Sequence, residues 1–330
     1  MNKKAFLIKF FSIIFFFISC LNIAAQSQSE LIKAKPSPGD GILSFLKRHN
    51  LSTEHIEEFK ELNKGKFGAD GGLLLHKTYT LPSSTKKWIV PIFGKEHQEL
   101  TLTDNDLKGA VFYLVSGHGG PDPGAIGDHG KLKLYEDEYA YDIILRLAKN
   151  LMQKGATVHI IVQDPNDGIR SETYLRPSKD ETVMGEPIPL DQNKRLKQRC
   201  DVINELYKKE KSTYQRCIEI HLDSRSVKKQ LDVFFYYHEN SKKGKETAET
   251  LLNTFEKSYK KHQPGRGFSG TATIRNLYML KNTNPVAIFV ELGNIRNERD
   301  QKRFVLESNR QALANWLTNG LVEDYKKNKK

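Results

Sequence analysis

From Gly109 onward, short continuous apolar runs alternate with stretches in which apolar residues recur every three or four positions. That is the pattern of buried strands alternating with amphipathic helices. Ala110 to Val115 reads as the first strand. Tyr139 to Lys154 reads as the clearest helix, with Ala140, Ile143, Ile144, Leu147, Leu151 and Met152 on one face and Gly155 as its stop. Ala156 to Val162 is a buried strand, and a helix opens near Asp191 with Leu196, Cys200, Ile203 and Tyr207 in register. Strands Arg216 to His221, Leu231 to Tyr237 and Val286 to Leu292 follow, interleaved with helices near 244–261 and 309–325. The pattern predicts an α/β domain over 108–330: one mostly parallel or mixed sheet with helices on both faces.

The first half is organised differently. A compact α+β segment is expected at 39–82. Ile42, Leu43, Phe45 and Leu46 supply a short helix, Ile56, Phe59 and Leu62 a second, and Leu73 to Leu81 alternates like a strand. The polar stretch 26–38 predicts a disordered linker. Residues 83–107, rich in Lys, Ser and Thr with two short apolar runs, predict a linker that connects to the main domain. Residues 1–25 place Lys3, Lys4 and Lys9 around the start of the apolar run Phe10 to Ile18, with Ala24-Ala25 behind it. That order is a secretory signal peptide, and its run is shorter than the ~20 residues of a membrane-spanning helix. Phe17-Ile18-Ser19-Cys20 also approximates the lipobox before a lipid-modified cysteine, with Phe where Leu is usual. Cleavage after Ala25 is the reading preferred and gives a soluble envelope protein, periplasmic or extracellular. Membrane attachment is expected only if Cys20 is lipidated.

Charge changes the picture little. The net charge of +12 becomes +9 without the three leader lysines. The lysines are scattered rather than grouped, and export argues against nucleic acid. A carboxylate-rich wall polymer suits both facts. Cys200 and Cys217 fall in mid-helix and at the start of the next strand. Their α-carbons are then roughly 14 Å apart at 1.5 Å per helical residue, too far for a disulfide, so two buried free thiols are expected.

Candidate chemistry collects where polar side chains end apolar strands, the edge at which open α/β sheets bind ligands. His118 follows the first strand among Gly117, Gly119 and Gly120. Glu136, Asp137 and Glu138 open the amphipathic helix; acids there also complement the helix dipole, so one or all could be structural. His221 ends a strand on the same face as Glu219 and Cys217. Glu219 is awkward in a buried strand, and is expected to pair with an internal cation or orient an imidazole. Glu291 is the single carboxylate at the end of Val286 to Val290. Two imidazoles and one carboxylate, His118, Glu136 and His221, make the ligand set of catalytic zinc sites that leave one position open for water. Glu291 would serve beside them as a base, not a ligand. The helical zinc-protease pattern His-Glu-x-x-His is absent.

Five stretches resemble the zinc-dependent N-acetylmuramoyl-L-alanine amidase family: Gly117 to Ala125, the helix 136–149, Arg199 with Asn204, Ile220 to Ser224, and Asn282-Thr283 with Val290 to Gly293. Each is weak alone; together, in the family's order, they are specific. The resemblance implies one Zn2+ on His118, Glu136 and His221, so it selects Glu136 over its acidic neighbours, and it implies a catalytic Glu291. It implies cleavage of the amide between the lactyl group of N-acetylmuramic acid and the L-alanine of the stem peptide, with peptidoglycan as substrate and an activator protein as a conceivable partner. Residues 39–82, with Gly39-Asp40, Leu62-Asn63 and Tyr79 to Pro82, resemble a LysM peptidoglycan-binding module, although the glycine usual near the last strand is missing.

Two features depart from the family. Val115-Ser116 replaces its usual Asp-Pro or Asp-Ala, which leaves His118 without the carboxylate expected nearby. Asp164 to Leu190 is longer than the usual connection by roughly twenty residues, and Tyr174 to Pro189 is expected to be either a lid or substrate-binding wall, or a disordered surface loop. Two alternatives to the amidase reading stand: a zinc peptidase or carboxypeptidase acting on wall peptides, and a non-catalytic peptidoglycan-binding protein.

Overall fold

The computed structural model describes residues 32–82, 87–223 and 230–329. The expected leader, Cys20 and Ser224 therefore lie outside the described residues. Strands β1 (Ala110–Ser116), β2 (Thr157–Ile160), β3 (Tyr214–Asp223), β4 (Phe234–Tyr237), β5 (Thr271–Ile274) and β6 (Val286–Asn294) form one sheet in the order β5-β4-β6-β3-β1-β2. Only the β4–β6 pair is antiparallel. The mostly parallel, doubly covered sheet expected from the hydropathy pattern is what the chain forms.

Strand alternation decides which residues meet which helices. Phe112, Leu114, Ile218, Ile220 and Ile288 point to one face, into a core with α1 (Glu136–Gln153), α3 (Lys242–His262), α5 (Glu298–Val305) and α6 (Glu307–Asn328). Val111, Tyr113, Val115, Cys217 and Ala287 point to the other, against α2 (Gln192–Lys209) and α4 (Tyr278–Asn282). Cys200 and Cys217 are buried free thiols on that second face.

Two boundaries differ from expectation. Within the expected linker 83–107, the described residues 87–107 pack: Lys87–Ile89 pairs with Glu99–Thr101, and Val90, Phe93, Leu100 and Leu107 are buried in the same core as Phe112 and Leu147. The two short apolar runs are the reason, since burying them removes surface worth about 25 cal/mol per Å2. Within 26–38, Ile32–Ala34 forms a strand paired antiparallel with Tyr79–Leu81. The first unit is thus strand, helix (Ile42–Arg48), helix (Ile56–Leu62), strand, closed over Phe45, Leu46, Leu51, Phe59, Tyr79 and Leu81. Buried Asn63 locks it: its amide donates to Phe59 O (2.9 Å) and Thr80 O (2.6 Å) and its carbonyl accepts from Thr80 N (2.7 Å).

The long segment after β2 is ordered. Val162–Gln163, Thr182–Val183 and Glu186–Pro187 build a small antiparallel sheet. Fully buried Arg310 donates to Asp142 Oδ2 (2.6 Å) and to the carbonyls of Arg170 (2.7 Å) and Glu172 (3.1 Å), which clips this segment to α1 and α6.

Candidate functional site

β1 delivers the chain to Gly117, where a Cβ would collide with the His221 imidazole; glycine is needed for that approach. His118 follows at φ +62°, a left-handed conformation that costs a non-glycine residue about 1–3 kcal/mol and recurs at functional sites. Three contacts hold it. Its Nδ1 lies 2.8 Å from Asp122 Oδ2, its carbonyl accepts from the Arg199 guanidinium, and Arg195 pairs with Asp122 from the other side. The carboxylate missing before Gly117 is therefore supplied four residues after His118. The motif containing Asp122 was legible, but its partnership with His118 was not.

Glu136 begins α1 as expected, but its side chain turns inward and is 4% exposed. Oε2 accepts from Ala125 N (2.8 Å), while Oε1 accepts from Leu222 N (3.0 Å). The same Oε1 lies 2.9 Å from His221 Nδ1 and 3.3 Å from His118 Nε2. One ligand atom each from His118, Glu136 and His221 thus falls within 4.8 Å of the others. His221 stacks on Phe289 at 4.3 Å, and its Nε2 lies 3.4 Å from Glu219 Oε1. Each imidazole therefore presents one nitrogen to the cluster and the other to a carboxylate, the orientation that metal-ligating histidines adopt. This donor set suits a divalent metal ion.

Electrostatics agree with the geometry. Burial alone would lower the His221 pKa, but Glu136 and Glu219 outweigh it and push it up to about 10. Burial likewise opposes ionisation of Glu136, yet His118 and His221 hold its carboxyl well below the usual range. Glu291 behaves oppositely: burial pushes it up to about 8. Its Oε2 is buried without a hydrogen-bond partner.

All four expected site residues line one cavity of about 700 Å3. Arg195, Arg275, Gln192 and Tyr236 line it too, with Arg275 stacked over Tyr236 at 5.0 Å; the sequence reading assigned none of these to the site. Residues 174–189 are ordered rather than a disordered loop, and they do not line that cavity. Instead this segment backs the His118 loop, where Glu181 Oε2 accepts from Gly120 N at 2.8 Å. Asn204 ties α2 to the approach to β6 through Asn282 O (2.8 Å) and Asn284 N (2.7 Å).

Two imidazoles and a buried carboxylate thus meet at one end of a mostly parallel sheet, a donor set of the kind that holds a divalent metal ion. Residues 113–323 match the model of the N-acetylmuramoyl-L-alanine amidase family, and the chain belongs to that family. It is 28% identical over 197 residues to the germination-specific N-acetylmuramoyl-L-alanine amidase of Bacillus subtilis, covering 58% of this chain and 69% of that protein. It is 27% identical over 222 residues to the probable cell wall amidase LytH of Staphylococcus aureus, covering 67% of this chain and 60% of that one. Among solved structures it resembles the CwlD amidase of Clostridioides difficile in complex with the GerS lipoprotein, at 19% identity and a TM-score of 0.49, covering 66% and 98% of the respective chains.

Proposed function

We propose that this protein hydrolyses the amide between the lactyl group of N-acetylmuramic acid and the L-alanine of the stem peptide. The observation that carries the reading is the convergence of His118, Glu136, His221 and Glu291 on one cavity of a chain that belongs to this amidase family. His118, Glu136 and His221 would hold one Zn2+, a choice supported by their nitrogen and oxygen donors and by the carboxylates behind both rings. Zinc bound there would supply Lewis acidity, lowering the pKa of water at the site toward neutrality.

The remaining work belongs to the chain's own side chains. Glu291 takes the proton of the attacking water and hands it to the departing L-alanine nitrogen. Burial raises its pKa in the metal-free protein, toward the range in which one carboxyl can both accept and return a proton. Arg195 and Arg275 place positive charge on the cavity wall, where they attract the carboxylates of a stem peptide. The first unit, with its two short helices and paired end strands, acts as a LysM-like wall-binding module. Action in the cell envelope follows from the substrate, and no helix among the described residues is long and apolar enough to cross a membrane.

The test is digestion of purified peptidoglycan with and without chelator, followed by mass spectrometry. Intact stem peptides with a free L-alanine amine, released only by the metal-loaded protein, are expected. Products cut within the peptide would make it a peptidase, and metal-loaded protein that releases nothing would make it a binding protein.

A further inference from the structure

A second cluster of metal-ligating side chains lies beside the candidate metal centre but is distinct from it. Asp137 and Glu138 follow Glu136 in the first turn of α1, and Glu181 comes from the long segment after β2. One carboxylate oxygen from each falls within 4.8 Å of the others, and the three residues are 3%, 1% and 6% exposed. Three carboxylates enclosed this way repel one another and have lost their hydration, so holding them ionised requires compensation by charge or donors.

The protein supplies only part of it. Arg170 pairs with Glu138 at 2.8 Å but is shared with Asp167 at 2.7 Å. Glu138 Oε1 accepts from Ser178 N (2.5 Å), and Glu181 accepts from Gly120 N (2.8 Å) and lies 3.3 Å from Ser178 Oγ. Ser178 Oγ has one proton to give and lies closer to Asp164 Oδ2 (2.6 Å), which brings a further buried acid to the edge of the cluster. Asp137 Oδ1 accepts from Glu138 N (2.9 Å). Asp137 Oδ2, on a side chain almost wholly removed from water, has no hydrogen-bond partner. That oxygen, bare among two other acids, is a candidate ligand position, since no protein donor among the described residues reaches it.

We propose that Asp137, Glu138 and Glu181 form a second cation site that takes Ca2+ and fastens the segment after β2 to the first turn of α1. The donors are oxygen only, which selects a hard cation over zinc. Calcium accepts oxygens at roughly 2.3–2.6 Å in flexible geometry, so its ligands can stand up to about 5 Å apart across the ion; magnesium demands a tighter octahedron. Together with Arg170, a divalent ion offsets the three carboxylates. Its position joins two halves of the structure: Glu181 holds Gly120 in the His118 loop, while Asp137 adjoins Glu136. Filling the site would stiffen the backbone on which two candidate zinc ligands sit.

This site does not depend on the amidase reading, so its test uses no hydrolysis. The full chain, loaded with one zinc and freed of other metals, is titrated with CaCl2 in a calorimeter, and its Tm is recorded with and without calcium. One Ca2+ per chain and a Tm rise of about 5–10 °C at a hundredfold excess over Kd are expected. Glu181→Gln and Asp137→Asn should each abolish the calcium heat and the Tm rise while zinc stays at one per chain. Wild-type protein that shows neither heat nor shift overturns the proposal, even if a variant fails to fold. So does a calcium response that survives unchanged in both variants.

Discussion

His221 and Glu291 occupy paired positions on the neighbouring parallel strands β3 and β6, so both side chains leave the sheet on the same face. A candidate metal ligand and a candidate base are thereby spaced by backbone hydrogen bonds rather than by a loop. Glu291→Gln keeps the shape of the side chain and leaves His118, Glu136 and His221 untouched. Zinc content, read by elemental analysis, should stay at one per chain. Turnover of peptidoglycan fragments should fall by about 10²–10⁴, the usual worth of a positioned general base. A variant with wild-type turnover would remove Glu291 from the reaction.

Asp122 fixes the ring of His118 through Nδ1, and Arg195 fixes Asp122 in turn. Removing the negative charge loosens the ring without deleting a ligand. Asp122→Asn should therefore weaken zinc binding by about 10–100-fold, as partners behind metal ligands usually do. His118→Ala should lose both metal and activity. Competition against a chromogenic chelator measures both variants, and equal affinity in Asp122→Asn and wild type would count against this role.

The raised pKa of Glu291 has a stability consequence in the metal-free protein. Folding holds this carboxyl near 8 against an ordinary 4.5, so the folded state favours the protonated form. That contribution is fully present below about pH 4.5 and is lost as pH rises through 8. Glutamine cannot ionise and lacks this dependence. Metal-free Glu291→Gln should thus gain stability relative to metal-free wild type as pH goes from 5 to 9, by urea melts at each pH. A constant difference across that range would show that Glu291 is not held protonated.

How far the sequence disclosed all this follows from the range of the contacts involved. His221 and Glu291 were legible because an apolar strand ending in one polar residue is a local pattern, and strand period places Glu219 on the His221 face. Glu136 was not separable from Asp137 and Glu138 by local reasoning, since all three suit a helix start; only the resemblance chose among them. Asp122 was visible, but its partnership with His118 depends on a left-handed turn that no periodicity reports. Ile32–Ala34 and Thr271–Ile274 escaped because strands so short take their identity from their partners. The packing of Val90, Phe93 and Leu100 rests likewise on a core assembled from distant segments.

Arg310 offers a test of the ordered segment after β2. It is fully buried and binds Asp142 together with two carbonyls of that segment. Arg310→Met keeps much of the volume but removes the donor to Glu172 O, and leaves Asp142 with Arg146 and Arg170 N, and Arg170 O with Arg146. Loss of one partner of a buried ion pair costs about 3–5 kcal/mol, and the surviving Arg146 contact places this case at the lower end. Urea denaturation should show that loss, and limited proteolysis should show earlier cutting within 164–190. A variant as stable as wild type would mean that the clip contributes nothing.

The first unit carries the last prediction. Its own closed core and the Asn63 lock make it a wall-binding module in the reading proposed here, separate from the chemistry at Glu291. Deleting residues 1–82 removes that core whole while sparing Val90, Phe93, Leu100 and Leu107, which belong to the larger core and must be kept. The shortened protein should sediment less with insoluble peptidoglycan and hydrolyse it more slowly at low substrate. Its kcat on soluble fragments should match the full chain, because binding to the polymer raises local concentration without altering the transition state. Co-sedimentation separates the outcomes: undiminished binding would make the unit a spacer, whereas lost kcat on soluble fragments would give it a part in the reaction itself.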